Sequence, residues 1–168
     1  MRGFERLDEL VARVEKVLIV VCLAAMILAA FAQIVLRNLF GIGLSWSEPL
    51  VRYLVLWVGF IGAALAAREG RHITIEVFTR RMPGRRGRWL AAATYAVSAL
   101  VCGVLAYAGV KFLQDEAQLG NRTFLDLPVW VPELIIPAAF ALMTARFLLW
   151  SAKACTGRMR ETAPHRTP

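Results

Sequence analysis

Four apolar stretches, each long enough to cross a bilayer, occupy most of a chain of 168 residues: Val17–Leu36, Leu50–Ala67, Trp89–Val110 and Leu134–Ala152. About 20 apolar residues in a helix cover the ~30 Å of a bilayer's hydrocarbon. With four such segments and short connections, no length remains for a separate soluble domain. The longest polar stretch is Arg68–Arg88. In hydrocarbon every backbone polar group must be satisfied within the segment, so the spans are helices. The expectation is an all-α integral membrane four-helix bundle. It divides into a cytoplasmic amphipathic segment 1–16, a transmembrane domain 17–152 and a polar tail 153–168.

The net charge of +8 would suggest nucleic acid as a partner for a soluble chain. Here its distribution points to membrane orientation instead, because cytoplasmic segments collect Lys and Arg. Arg2, Arg6, Arg13 and Lys16 precede the first span. Arg68, Arg71, Arg80, Arg81, Arg85, Arg86 and Arg88 fill the middle loop, and Lys153, Arg158, Arg160 and Arg166 follow the last span. The other two connections hold Arg37, Arg52, Lys111 and Arg122, and Arg146 lies inside the last span. Fifteen against four predicts both termini and the Arg-rich loop on the cytoplasmic side, and no nucleic-acid partner. Trp46, Trp89, Trp130 and Trp150 fall at span ends, as amphipathic rings at headgroup level do. Trp57 lies inside a span. The first span could also serve as a cleaved signal, with Ala30-Phe31-Ala32 as its site. The apolar run that continues to Leu36, and the acids Glu5, Asp8, Glu9 and Glu15 before it, weigh against that.

Residues 1–16 carry Phe4, Leu7, Leu10, Val11 and Val14 at helical spacing, either as a helix on the cytoplasmic leaflet or as the first turns of span one. Ser45 or Ser47 can cap the second span, with Glu48 and Pro49 in its first turn, where a missing N–H costs nothing. Gly59, Ala63 and Ala67 recur every fourth residue, as do Gly62 and Ala66. Small ridges of this kind let helix backbones approach closely, within the bundle or with another subunit. Span three repeats the theme with Ala99 and Gly103. Pro132 suits a first turn, and Pro137 predicts a kink unless the helix starts later.

Ionisable groups within a membrane are costly and mark function, and this chain has few. About 9 Å of helix rise separates Arg146 from Ala152, within snorkelling reach of the cytoplasmic headgroups, which is the expected role. Glu48 and Arg52, at i and i+4, share one face of span two. They form either a local pair that admits Arg52 to the outer interface or a docking point for a partner. His72 and His165 lie outside the spans, so a haem inside the bundle would have no histidine ligands. Cys22, Cys102 and Cys155 show no metal or redox spacing. No nucleophile with its base, no phosphate loop and no carboxylate cluster is present, so neither an enzyme nor a resident cofactor or metal is expected.

The stretch Gln33-Ile34-Val35-Leu36-Arg37-Asn38 is followed by Leu44-Ser45-Trp46-Ser47-Glu48-Pro49-Leu50-Val51-Arg52-Tyr53. Then come Trp57-Val58-Gly59-Phe60-Ile61-Gly62-Ala63-Ala64, Arg68, and Gly70-Arg71-His72-Ile73. This series resembles the small membrane subunit of TRAP (tripartite ATP-independent periplasmic, DctQ-type) transporters. Leu127-Pro128-Val129-Trp130-Val131-Pro132 and Pro137 resemble that family's final span. Pro49 departs from the pattern, which often has a second acidic residue there. The resemblance implies a division of labour. A periplasmic binding protein captures a small organic acid, and a large permease subunit carries it inward on an ion gradient, usually of sodium. The small subunit pairs with the large one as scaffold and does not hold substrate. On this reading Trp46, Glu48, Arg52, Gly59, Gly62 and Ala63 form the partner face. Arg68, Arg71 and His72 contact lipid headgroups or the partner at the cytoplasmic edge of a bacterial inner membrane. The rival is a self-sufficient four-span exporter, which would need a membrane-embedded carboxylate that Glu48, near the outer end, does not provide.

Overall fold

The computed structural model describes residues 2–41, 43, 46–69, 85–123 and 126–156. Among them the only pairing outside helices is one antiparallel bridge, Arg122 with Pro128. Four long helices carry the spans: α1 (Arg2–Phe40), α2 (Ser47–Glu69), α3 (Arg85–Leu119) and α5 (Ile135–Thr156). The short α4 (Trp130–Glu133) leads into α5. All four long helices are long and apolar enough to cross a membrane, so this is a multi-pass membrane protein.

Their lengths differ. The 23 residues of α2 and the 22 of α5 make about 33–35 Å of helix, close to one bilayer thickness. The 39 residues of α1 and 35 of α3 make about 58 and 52 Å, so both outrun the hydrocarbon. α1 passes without a break from the charged N-terminal segment into the apolar span. It continues beyond Leu36 to Phe40, where Gly41 at φ +66° ends it. Gly120 at φ +67° ends α3 in the same way. A left-handed residue after the last turn suits glycine because no Cβ opposes it.

The helices stand in the order α1, α2, α5, α3, each packed on the next. α5 is therefore inside the row, between α2 and α3, although it is last in sequence. Its packing on α3 is the most extensive, and the reason is small side chains. Ala91, Ala92 and Ala99 of α3 and Ala139 and Ala154 of α5 are buried with Tyr95, Met143 and Phe147, and Ala64 and Ala67 of α2 join them. With no hydrophobic force between helices in lipid, such close contact is what holds them. A Cβ on Gly109 would lie 3.3 Å from that of Pro137, and one on Gly103 would lie 3.7 Å from Thr144. Ser151 Oγ donates to the Ala92 carbonyl at 3.0 Å. At the start of α3 the Arg88 guanidinium donates to the Ala154 and Cys155 carbonyls. Those are among the carbonyls a helix C-terminus leaves without partners.

Pro137 falls in the first turn of α5, as its third residue, where a helix tolerates proline. Leu134 separates α4 from α5. Lacking an N–H, Pro137 cannot bond the Glu133 carbonyl. One turn earlier the Pro132 carbonyl accepts from the indole Nε1 of Trp57 at 2.8 Å. The tryptophan that sequence places inside a span thus supplies a donor to the interrupted backbone, as neighbouring helices do at broken transmembrane segments.

Candidate partner-binding face and its anchoring ion network

α2 begins where Leu50 N–H donates to the Trp46 carbonyl at 3.2 Å. Ser47 is fully buried there, and Glu48 and Pro49 complete the first turn. Glu48 near the positive end of the helix dipole is favourable. From this start α2 exposes one stripe: Glu48, Arg52, Val55, Gly59, Ala63 and Ala66. The steps are four, three, four, four and three residues, a single helical face. Ile61, Ala64 and Ala67 are buried on other faces. Gly62 borders the stripe, and a Cβ built on Gly59 or Gly62 would meet nothing within 4 Å. The small residues of the stripe are therefore not spent on packing within the chain, in contrast to Gly103 and Gly109. Trp46, 42 % exposed, stands at its N-terminal end.

Glu48 and Arg52 face each other at 3.7 Å with their side chains 80 % and 77 % exposed. A pair so open contributes well under 1 kcal/mol and can give way to other partners without loss.

At the opposite end of α2 the structure corrects the snorkelling expectation for Arg146. Its side chain is only 3 % exposed and turns into the protein. The two terminal nitrogens donate to the two Glu15 oxygens at 3.0 and 2.9 Å, and Nε donates to Asp8 Oδ1 at 3.1 Å. Nη1 also donates to the Ala64 carbonyl. The other Asp8 oxygen accepts from Arg68 Nε at 2.7 Å. Two acids of α1 thus meet one arginine each from α2 and α5. A bidentate guanidinium–carboxylate pair is the strongest such geometry. In low dielectric both groups need it, since a bare buried charge costs several kcal/mol. Asp8, Ala12 and Glu15 form the inward face of α1, while Leu10, Val11 and Val14 face outward. The face that meets the protein is thus the acidic one.

Of the residues expected from sequence, Trp46, Glu48, Arg52, Gly59, Gly62 and Ala63 lie on or beside the one α2 stripe. Arg68 belongs to the ion network, where it pairs with protein and not lipid. Arg71 and His72 lie outside the described residues. Asp8 and Glu15 are the members that the sequence reading missed. Acids on a segment otherwise rich in Lys and Arg, with a lone arginine in a distant span, were the available signal.

Residues 26–155 match the family described as "Tripartite ATP-independent periplasmic transporters, DctQ component". The chain is 32 % identical over 121 residues to the C4-dicarboxylate TRAP transporter small permease protein DctQ of Rhodobacter capsulatus, covering 71 % of this chain and 53 % of that one. It therefore spans about half of that relative's length. The protein of the same description from Vibrio cholerae is 25 % identical over 181 residues, 93 % of this chain and 77 % of the relative. The chain is also 33 % identical over 86 residues to the sialic acid TRAP transporter permease protein SiaT of Haemophilus influenzae. That match covers 51 % of this chain but only 14 % of the relative.

Proposed function

Because the chain belongs to the DctQ component family of TRAP transporters, we propose that it is the small permease subunit that pairs with a large permease subunit and braces it in the inner membrane. The outward stripe of α2 carries this reading. It is a lane of Gly and Ala that no described residue fills, and lipid gives helices no hydrophobic reason to meet except through such close contact. A helix of the large subunit lies along Gly59, Ala63 and Ala66, and its polar groups at the outer end exchange with the open Glu48–Arg52 pair. The match to a small fraction of a much longer TRAP permease protein supports joint work with a larger membrane unit.

The transported solute is a small organic acid, delivered by a periplasmic binding protein and driven by an ion gradient. This chain adds rigid width to the fixed part of the transporter and holds no solute itself. The described spans support this division. Within the apolar segments 17–36, 50–67, 89–110 and 134–152 the charged residues are Arg52, exposed on the α2 stripe, and Arg146, whose donors are spent on Asp8, Glu15 and Ala64. Both termini face the cytoplasm in this arrangement, as the lysine and arginine distribution supports.

The test is co-purification with the large subunit from membranes. Gly59→Leu with Ala63→Leu is expected to reduce recovery of the large subunit at least tenfold, with this chain still inserted. Undiminished pairing would reject this surface.

A further inference from the structure

The first sixteen residues hold four bases, Arg2, Arg6, Arg13 and Lys16, and four acids, Glu5, Asp8, Glu9 and Glu15, so the segment is neutral in sum. The fold separates these charges. Asp8 and Glu15 turn inward and are neutralised by Arg68 and Arg146. Arg13 and Lys16 lie on the outer side of α1, exposed and without an ion pair to any described residue. Glu9, exposed one turn before Arg13, makes none either. The outward flank of this neutral segment is therefore cationic at the level of residues 13–16.

The ion network also fixes the depth of that flank. Arg13 and Lys16 bracket Glu15 within about 3 Å of helix rise. Glu15 is held by the guanidinium that reaches the Ala64 carbonyl, one turn inside the end of the α2 span. Arg13 and Lys16 thus stand at the inner edge of the hydrocarbon, where an unpaired cation is expensive. Beside them run Leu10, Val14 and Val17, each 56–57 % exposed. Their long apolar stems can lie along this surface while the charged heads reach to headgroup level.

We propose that Arg13 and Lys16 bind the headgroup of an anionic phospholipid of the inner leaflet, with an acyl chain lying along Leu10, Val14 and Val17. Two fixed cations at headgroup depth, next to an apolar strip, complement a phosphate with chains attached. A zwitterionic lipid brings its own ammonium and satisfies the pair less well. Anionic leaflets attract cations that stand beside a membrane span. Here the ion network holds both cations on one rigid helix.

Native mass spectrometry of the full chain in detergent, titrated with phosphatidylglycerol or with phosphatidylcholine, tests this. The wild type is expected to retain phosphatidylglycerol at least fivefold better. Arg13→Gln with Lys16→Gln should reduce that preference to near unity, while Arg13→Lys keeps it. Glu9→Gln, which removes an exposed acid one turn before Arg13, should raise retention about twofold. All three side chains are exposed, and the circular dichroism melt of each variant checks that the fold is kept. Equal retention of both lipids by the wild type would overturn the proposal, as would a preference untouched by the double substitution. Loss of the preference in millimolar inorganic phosphate would also overturn it, since the site would then take a free anion and not a lipid.

Discussion

Arg146 shows how far a residue's environment can depart from its local sequence. Six apolar or small neighbours toward the cytoplasmic end suggest a side chain reaching for water. The partners that hold it are 131 and 138 positions away, beyond any spacing rule for a single helix. Removing it should be severe. Arg146→Gln leaves Glu15 bare and Asp8 with Arg68 alone, an expected loss of about 3–5 kcal/mol, read as a lower unfolding midpoint in detergent. Arg146→Leu with Glu15→Leu removes both charges together and should recover much of that loss, since a buried ion pair replaced by apolar groups is often neutral. Arg52→Gln marks the other extreme. The Glu48–Arg52 pair was legible at once from its i, i+4 spacing, yet at nearly 80 % exposure its loss should move stability by less than about 0.5 kcal/mol.

Among the helices, composition revealed the existence of the spans and left their neighbours unknown. Hydropathy places four spans because lipid demands an apolar run, but α5 packs between α2 and α3 for reasons held in single residues. The small ridges of α2 and α3 look alike in sequence. In the structure Gly103 and Gly109 are covered by Thr144 and Pro137, and Gly59 and Gly62 are open. The two classes should respond oppositely. Gly109→Val forces α3 away from Pro137 and is expected to cost about 1–3 kcal/mol by overpacking in the isolated chain. Gly59→Leu should leave the melt of the isolated chain unchanged and act only on pairing with the large subunit. Trp57→Phe removes the indole donor from the Pro132 carbonyl and should cost about 1 kcal/mol or more. The same detergent melts give that value. The sequence reading placed Trp57 inside a span and found no role for it, because its partner carbonyl becomes available only where α4 gives way to α5.

At the level of the whole molecule, small side chains fill the contact of α3 with α5 and an ion network ties α1 to α2 and α5, a packed interior that suits a brace better than a conduit. Reporter fusions after residue 168 and before residue 1 should both register the cytoplasm, and the purified chain in liposomes should move no organic acid by itself. The ion network has a further consequence for biogenesis. A ribosome delivers Glu15 131 positions before Arg146, so α1 enters the bilayer with an unanswered acid that α5 neutralises when it arrives. A nascent chain halted before the final span is expected to be a ready target for the membrane's quality-control proteases.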